Sequence, residues 1–239
     1  MTARGSSERP RQHERQRAAA KKAFDIPRML RLIEAAVRPY PKAALFELAE
    51  RGHASVFEQL VACIISIRTR DEVMLPTALA LFQEAPDAAA MAKLGPERID
   101  ELIHDSAFHE PKARQIHAIA ESTARDHGGA LPCDEALLRS FAGVGPKCAN
   151  LVLGIACGHS ALGVDVHVHR VTNRWGIVAT TSPERTMAAL EAIIPPRYFL
   201  DLNRLLVPFG KHICTGKLPR CSSCPVLDYC RQVGVERHR

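Results

Sequence analysis

The chain has 239 residues and a mass of 26.3 kDa, with 46% hydrophobic and 24% charged residues. This composition is ordinary for a globular protein, and the length allows one sizeable core or two small lobes. No apolar run approaches the length of a membrane span, and the N-terminus has no apolar signal core. We therefore expect a cytoplasmic protein that does not contact a membrane.

The formal net charge of +6 is concentrated at the N-terminus. Seven basic and two acidic side chains within residues 1–22 give a net charge of +5, so the rest of the chain is close to neutral. A segment this polar and rich in arginine predicts a disordered basic tail. The tail would either keep the protein in solution or strengthen non-specific binding to nucleic acid.

Apolar residues recur at helical spacing along almost the whole chain, broken by Pro and Gly, whereas strand signals are scarce. The spacing predicts helices over residues 27–37, 56–67, 71–82, 86–94, 96–104, 111–127, 135–141, 147–156, 183–194 and 198–209. Ser55, Asp71 and Asp134 are predicted N-caps. We predict an all-α chain, and its short helices and short loops indicate two helical lobes.

The segment 141–153 joins a Gly-x-Gly turn to a strong helical run. Gly143 and Gly145 bracket Val144, and glycine lets the backbone adopt a positive φ and lets a ligand approach main-chain N–H groups. The helix behind the turn points its unpaired N–H groups and the positive end of its dipole at the same place. The pattern predicts a phosphate-binding turn, and it also fits a tight turn between two helices.

Lys147 falls in the first turn of this helix, next to the predicted phosphate site. The positive end of the helix dipole disfavours a further positive charge, which favours the neutral amine. A neutral amine is a nucleophile that can attack a sugar C1′ and hold it as a Schiff base. The alternative is a solvated surface lysine.

Asp165 lies between apolar residues at a second helix start. Val164, Val166 and Val168 alternate as in a strand, but their spacing fits a helix that begins near Asp165 equally well. An aspartate in this place is most often an N-cap. The cap position would also fix the carboxylate for a chemical role, so the two interpretations are compatible.

Four cysteines lie close together in a short, helix-poor segment at the C-terminus: Cys214, Cys221, Cys224 and Cys230. Disulfides are not expected without a secretory signal, so the pattern predicts a set of metal ligands. Zinc and a cubane iron–sulfur cluster both suit four thiolates, and the spacing alone does not separate them. The other cysteines are scattered and are predicted to be small core or surface residues: Cys63, Cys133, Cys148 and Cys157.

The run 143–153, the segment Val164-Asp-Val-His-Val-His-Arg-Val171 and the pattern Cys-x6-Cys-x2-Cys-x5-Cys together resemble the endonuclease III family of DNA glycosylases, iron–sulfur members of the helix-hairpin-helix/Gly-Pro-Asp superfamily. The resemblance covers residues 24–229. It implies that Lys147 is the Schiff-base lysine, that Asp165 assists base loss, and that the four C-terminal cysteines hold a structural [4Fe–4S] cluster.

The resemblance also implies a domain organisation. Residues 49–159 would form a six-helix domain with the helix-hairpin-helix, and residues 23–48 plus 160–239 would form the iron–sulfur cluster domain. The DNA and the active site would lie in the cleft between them. Residues 1–22 remain as the disordered basic tail.

By the same resemblance, five further positions face the DNA, in addition to Lys147. An enzyme that acts on a base must flip it out of the duplex, and an apolar wedge commonly fills the hole. The resemblance places the wedge at Phe108, where the family has leucine, and a filling residue at Arg68, where glutamine is usual. The hairpin residues Gly143, Val144 and Gly145 would bind the backbone, although Ala142 replaces the usual proline.

His167 follows Asp165 by two residues and would either line the nucleotide pocket or serve a structural role. Trp175 is predicted to be a core residue.

The resemblance implies a bifunctional DNA glycosylase and AP lyase of base excision repair, which removes oxidised pyrimidines through a Schiff base and β-elimination. Its partner would be duplex DNA with damaged bases or abasic sites, bound by a monomer. Two alternatives stay open. One is a mismatch-specific glycosylase, and the other is a DNA-binding iron–sulfur scaffold with AP lyase activity only or with no catalysis.

Overall fold

A computed structural model describes residues 21–239, and this part of the chain is helical without any β-strand. The prediction of an all-α fold is confirmed. The α-helices of the described residues are Ile26–Val37, Ala44–Glu50, Val56–Ser66, Asp71–Glu84, Ala88–Leu102, His109–Asp126, Glu135–Ser140, Pro146–Cys157, Val166–Trp175, Pro183–Glu191 and Phe199–His212, with short 3-10 helices at Pro196–Tyr198 and Cys221–Ser223. Within residues 21–239 no helix is both long and apolar enough to cross a membrane.

The predicted basic tail lies outside the described residues except for its last two positions. Lys21 Nζ donates to the carbonyl oxygen of Leu227 at 2.8 Å, and Lys22 forms an ion pair with Asp228 at 2.7 Å. The described chain therefore begins in contact with the segment that contains the last predicted cysteine ligands.

Most helix starts follow the caps that the sequence predicts. Ser55 and Glu58 form a capping box, in which each side chain accepts a hydrogen bond from the other residue's N–H group. Asp134 also caps its helix. The prediction that Asp71 is an N-cap is wrong, because Arg70 holds that position and Asp71 is the first helical residue. The positive end of the helix dipole still stabilises the negative charge of Asp71 there.

The two helices predicted over 86–94 and 96–104 are both present within Ala88–Leu102, separated by a kink at Gly95, whose backbone is non-helical at φ 76°. Glycine adopts this conformation without a Cβ penalty, so the predicted break is confirmed. The short helix Ala44–Glu50 was not predicted, and it has no side-chain cap to mark its start.

The described residues divide into two compact units. The hairpin unit consists of Pro41–Gly163 and Pro195–Arg204. The cysteine unit consists of the described residues up to Tyr40, Val164–Ile194 and Leu205–Arg239. Lys147 belongs to the first and Asp165 to the second.

The core of the hairpin unit is built around the helix Val56–Ser66, in which nine of eleven side chains are buried. Its N-cap is strong and its sequence is apolar on all sides, as expected for a helix surrounded by others. It packs against Asp71–Glu84, His109–Asp126 and Pro146–Cys157. The helix that carries Lys147 and the helix that follows Phe108 are therefore both fixed to one central element.

The cysteine unit contains the helix Val166–Trp175, which packs against Pro183–Glu191. The Trp175 side chain is 1% exposed, which confirms its prediction as a core residue. A hydrogen bond adds to this packing, since His169 Nδ1 lies 2.6 Å from the hydroxyl of Thr186. The helix that begins after Asp165 is therefore fixed in its unit by both apolar and polar contacts.

One expectation about cysteine is wrong. Cys133 and Cys157, predicted to be unpaired, form a disulfide with a Cα–Cα distance of 6.1 Å and a sequence separation of 24 residues. The lack of a secretory signal argues against disulfides in general, but it gives no information about which two cysteines the fold brings together. The bond closes a loop that contains the helix Glu135–Ser140, the Gly-x-Gly turn and most of the lysine's helix.

Candidate functional site

The Gly-x-Gly turn uses its two glycines for different reasons. Gly143 has φ 84°, and a Cβ at this position would meet the Gln115 side chain at 2.8 Å. Gly145 is the N-cap of Pro146–Cys157 with ordinary extended backbone, and a Cβ there would meet nothing within 4 Å. Gly143 is therefore required by the turn, whereas Gly145 leaves open space in front of the helix.

Val144, the middle residue of the turn, anchors the turn in the core. Its side chain is buried in the core of the hairpin unit, and its N–H group donates to the carbonyl oxygen of Phe141 at 3.1 Å. The N–H groups of Lys147 and Cys148 fall in the first turn of the helix, so no carbonyl of a preceding helical turn accepts from them. Pro146 has no N–H group. The open end of this helix can therefore accept an anion through Lys147 and Cys148.

Lys147 is the second residue of the helix, and its side chain is exposed. The next residue, Cys148, is 5% exposed and points into the core, so the backbone that carries Lys147 is fixed. Within residues 21–239 the Lys147 amine has no hydrogen bond or ion pair to another side chain. The structure thus presents a solvent-accessible amine beside the open helix end.

Asp165 is the N-cap of Val166–Trp175, as predicted. Its Oδ1 atom accepts hydrogen bonds from the N–H groups of His167 at 3.0 Å and Val168 at 2.8 Å. Both cap bonds go to the same oxygen, and the Oδ2 atom has no hydrogen-bond donor among the described residues. The cap therefore orients the carboxylate and leaves one oxygen available for chemistry.

The side chain of His167 is half-buried and held by two neighbours. Arg170 Nη2 donates to His167 Nδ1 at 3.1 Å and to the carbonyl oxygen of Gly210 at 2.9 Å. A Cβ at Gly210 would meet His167 Nδ1 at 2.8 Å, so only glycine permits this packing. Burial lowers the pKa of Arg170. These contacts give His167 a structural role, and its contact with DNA stays a prediction.

Arg68 and Phe108 lie on two loops that the structure brings together. Both residues have left-handed backbone, at φ 54° and φ 56°, which is uncommon outside glycine. The Phe108 ring is 59% exposed, so it is not folded back into the core. The Arg68 guanidinium carbon lies 5.4 Å from the centroid of that ring, within the range of a cation–π contact.

Lys112 is a buried residue next to these loops that the sequence did not single out. It is 3% exposed, and its Nζ atom donates to the carbonyl oxygens of Ile65 and Ile67 at 2.7 Å each and to Thr69 Oγ1 at 3.0 Å. Burial lowers its pKa to about 8. The signal was present, because Lys112 precedes the buried Ile116 by four residues and so lies on the apolar face of its helix.

The four C-terminal cysteines line one cavity in the cysteine unit, together with Trp175 and Phe209: Cys214, Cys221, Cys224 and Cys230. All four are free thiols. Arg174 Nη1 lies 3.5 Å from the sulfur of Cys214, and the N–H group of Gln232 lies 3.4 Å from the sulfur of Cys230. Donors to sulfur of this kind stabilise thiolate ligands.

The surroundings of these four cysteines suit thiolates that bind a positively charged group better than thiolates without one. Burial raises the pKa of Cys224 to about 12 and the pKa of Cys230 to about 11, so four thiolates need a compensating charge. Within the described residues no set of three or more His, Cys, Asp or Glu side chains is already arranged to hold a metal ion. The donor set and its apolar shell therefore fit a cluster or metal, while the four sulfurs are not drawn together around one point.

These features define a helical protein with a hairpin that can receive a phosphate backbone. The family model "HhH-GPD superfamily base excision DNA repair protein" matches residues 61–196. The endonuclease III of Thermotoga maritima is 36% identical over 174 residues, which cover 73% of this chain and 82% of that protein. The endonuclease III of Escherichia coli strain K12 is 32% identical over 181 residues, which cover 76% and 86%.

A solved structure supports the same assignment. A trapped covalent endonuclease III–DNA intermediate, an estranged-adenine complex, superposes with a TM-score of 0.69 at 28% identity, covering 79% of this chain and 93% of that chain. The chain belongs to the endonuclease III family within the HhH-GPD superfamily of base excision DNA repair proteins.

Proposed function

We propose that this chain is a bifunctional DNA glycosylase and AP lyase that removes oxidised pyrimidines from duplex DNA. The observation that carries the proposal is the exposed amine of Lys147 beside the open helix end behind Gly145. A DNA phosphate bound to the free N–H groups would bring a neighbouring sugar to the amine. Membership of a base excision repair family supports the same reaction class.

The reaction begins with attack of Lys147 Nζ on C1′ of the damaged nucleotide. The N-glycosidic bond breaks and its electron pair leaves with the base, while the amine loses a proton. Opening of the sugar ring gives an iminium at C1′. Loss of a proton from C2′ then expels the 3′ phosphate oxygen from C3′ with its electron pair, which nicks the strand on the 3′ side of the lesion. Water finally hydrolyses the iminium and restores the lysine.

Asp165 assists the first step in this proposal. Its Oδ1 atom is committed to the helix cap, and Oδ2 can take the proton that the amine loses or stabilise the cationic sugar as the base departs. A carboxylate held by two backbone N–H groups keeps one orientation, which lowers the cost of positioning it. The cap and the chemistry therefore use different oxygens of the same side chain.

The hairpin and the two loops would bind the DNA around this centre. Gly143 and Val144 shape the turn, and Gly145 allows the phosphate backbone to approach the helix end. Phe108 would wedge into the stack and Arg68 would occupy the space that the flipped nucleotide leaves. His167, whose Nδ1 atom accepts from Arg170, would border the sugar.

We further propose that Cys214, Cys221, Cys224 and Cys230 hold a [4Fe–4S] cluster. The bound cluster would supply structural cross-linking of the segment 214–230 and no chemistry on the substrate. Lys217 and Arg220 lie exposed on this segment, where they can meet phosphates. Iron and acid-labile sulfide analysis, with zinc analysis as the competing result, would decide the identity of the group.

The two alternatives have less support. The relatives at 32% and 36% identity are endonucleases III rather than mismatch-specific enzymes. A scaffold without catalysis would have no use for an exposed amine beside a phosphate-binding turn or for a capped carboxylate with one free oxygen. We propose that the protein acts as a cytoplasmic monomer on duplex DNA with damaged bases or abasic sites.

Incision of a duplex that carries one thymine glycol tests the proposal. We expect the wild type to release the base and nick the strand, and Lys147→Ala to do neither while still binding the DNA. Lys42→Ala is the matched control, because it removes an exposed lysine of the same unit that only pairs with Glu50. Full incision by Lys147→Ala, or none by the wild type, would overturn the proposal.

A further inference from the structure

The Gly-x-Gly turn is in contact with a polar side chain from another helix. Gln115 lies on the helix His109–Asp126, and a Cβ at Gly143 would meet its Nε2 atom at 2.8 Å and its Oε1 atom at 3.0 Å. Glycine at position 143 therefore leaves the space that the Gln115 amide occupies. The next residue, Ile116, is fully buried, so the backbone that carries Gln115 is fixed in the core of the hairpin unit.

The amide of Gln115 has unused hydrogen-bonding capacity. The side chain is half-buried, and within residues 21–239 it makes no hydrogen bond. Neither of its polar atoms is shut off from solvent. A carboxamide carries two N–H donors as well as an acceptor oxygen. A group that touches the turn, reaches solvent and has no partner among the described residues is available to a ligand bound at the turn.

The turn itself offers main-chain donors only. Residues 142–146 are Ala, Gly, Val, Gly and Pro, so none of them has a polar side chain. The N–H groups of Gly143 and Gly145 donate to no acceptor within the described residues, whereas the N–H group of Val144 donates to Phe141. Phosphate oxygens accept from main-chain N–H groups and from glutamine amides alike. Gln115 therefore adds a side-chain donor next to two free main-chain donors.

We propose that Gln115 donates from Nε2 to a DNA phosphate bound at the turn, and that it is a DNA-binding residue outside the hairpin segment. This inference rests on the proposed function, because it adds a residue to the same DNA site. Gln115 follows Phe108 by seven residues on one helix, which is about 10 Å along the helix axis. A helix that touches the DNA at both points fixes the distance between the predicted wedge and the bound phosphate.

Equilibrium binding to a duplex with a non-cleavable tetrahydrofuran abasic analogue tests the inference without requiring catalysis. Gln115→Met keeps the length of the side chain and removes its donors. We expect it to bind about tenfold more weakly than the wild type, because a hydrogen bond to a charged group is lost. The salt dependence of binding should not change, since no positive charge is removed. Wild-type affinity in a folded Gln115→Met would overturn the inference.

A charged variant separates contact with the phosphate from packing against Gly143. Gln115→Lys places an ammonium group where the amide was, so it should bind at least as tightly as the wild type. The slope of the logarithm of affinity against the logarithm of salt concentration should become steeper by about one. If Gln115 only packs against the turn, both variants will bind more weakly and the slope will stay the same, which would overturn the inference.

Gln83 provides the matched control, because it is an exposed glutamine of the same unit on the helix Asp71–Glu84. Gln83→Met and Gln83→Lys should leave the affinity and the slope at their wild-type values. Effects at Gln83 as large as those at Gln115 would show that any change on the surface of this unit alters binding, and they would overturn the inference.

Neutral methylphosphonates, introduced at one phosphate position at a time, test the contact directly. One position should weaken the wild type but have little further effect on Gln115→Met, because the contact is already lost in that variant. Additive effects at every position would refute the contact. Borohydride trapping on a natural abasic site runs in parallel. A wild type that binds the analogue but forms no adduct would refute the proposed chemistry and leave this contact standing.

Discussion

The Nζ atom of Lys112 lies 2.7 Å from the carbonyl oxygen of Ile67, so a lysine in the core of the hairpin unit reaches the loop that carries Arg68. A buried lysine is costly unless its donors are satisfied, and here each has an acceptor. The contact couples the protonation of a core residue to the conformation of an exposed loop.

This coupling predicts a pH dependence of DNA binding through the Arg68 loop. The pKa of Lys112 is about 8, below its ordinary value of 10.5, so the folded protein loses this proton as the pH rises through 8. The neutral amine has two donors for three acceptors, which loosens the Arg68 loop. We expect the affinity for a duplex with a non-cleavable abasic analogue to fall several-fold between pH 7 and pH 9 (about one unit on either side of that pKa).

Stability and a charged variant separate this effect from unfolding. Above pH 8 the unfolded chain still holds the lysine proton that the folded chain has lost, so this group makes folding more favourable as the pH rises towards 10.5. The free energy of unfolding should therefore not fall together with the affinity for DNA. Lys112→Arg stays charged at pH 9, because a guanidinium keeps its proton in this range. An affinity that falls equally in this variant would contradict the coupling.

The disulfide between Cys133 and Cys157 should stabilise the hairpin unit. It closes a loop with a sequence separation of 24 residues, which removes conformational entropy from the unfolded chain. We expect Cys133→Ser to lower the free energy of unfolding by about 3 kcal/mol in urea titrations without reductant. Adding a reductant should lower the wild type to the same value and leave the variant unchanged. A variant as stable as the oxidised wild type would show that the bond does not form.

Substitution of the two glycines of the turn by alanine should change the free energy of unfolding by different amounts. Gly143→Ala places a side chain at φ 84° and against Gln115, and should cost about 1–2 kcal/mol of unfolding free energy. Gly145→Ala meets no atom within 4 Å and should leave stability close to the wild type. Its Cβ would project into the open space where DNA approaches, so binding to duplex DNA should weaken. Equal stability of the two variants would contradict this assignment.

Two substitutions of Asp165 should separate its role as an N-cap from its role in catalysis. Asparagine is as good an N-cap as aspartate, so Asp165→Asn should keep the helix and its stability while base release slows by about two to four orders of magnitude. Asp165→Ala should lose the cap as well, at about 1 kcal/mol of unfolding free energy. Single-turnover base release and thermal unfolding measure the two effects. Full activity of a folded Asp165→Asn would exclude the carboxylate from the chemistry.

Local sequence signals predicted the helices and the turn well, since they depend on caps and apolar spacing. Ser55 and Asp134 cap as expected because a side chain that bonds the next N–H groups needs no tertiary partner. The same reasoning placed Asp165 at a helix start and Gly143 at a positive φ. Arg70 took the cap position from Asp71, a shift of one residue that spacing does not resolve.

The contacts that sequence reasoning missed are all long-range. The bond between Cys133 and Cys157 and the three hydrogen bonds of Lys112 join segments that are separated by 24 to 47 residues. Periodicity along one helix carries no information about which distant loop it meets. The placement of Phe108 on an exposed loop was predicted, but its contact with Arg68 was not.

The central claim is that Lys147 is the nucleophile, and the most direct measurement is the site of the covalent bond. Borohydride reduction during the reaction with an abasic duplex should trap the protein on the DNA, and proteolysis with mass spectrometry should locate the sugar remnant. We expect it on Lys147 Nζ alone. Attachment to another amine, or no attachment in a protein that binds the duplex, would contradict the claim.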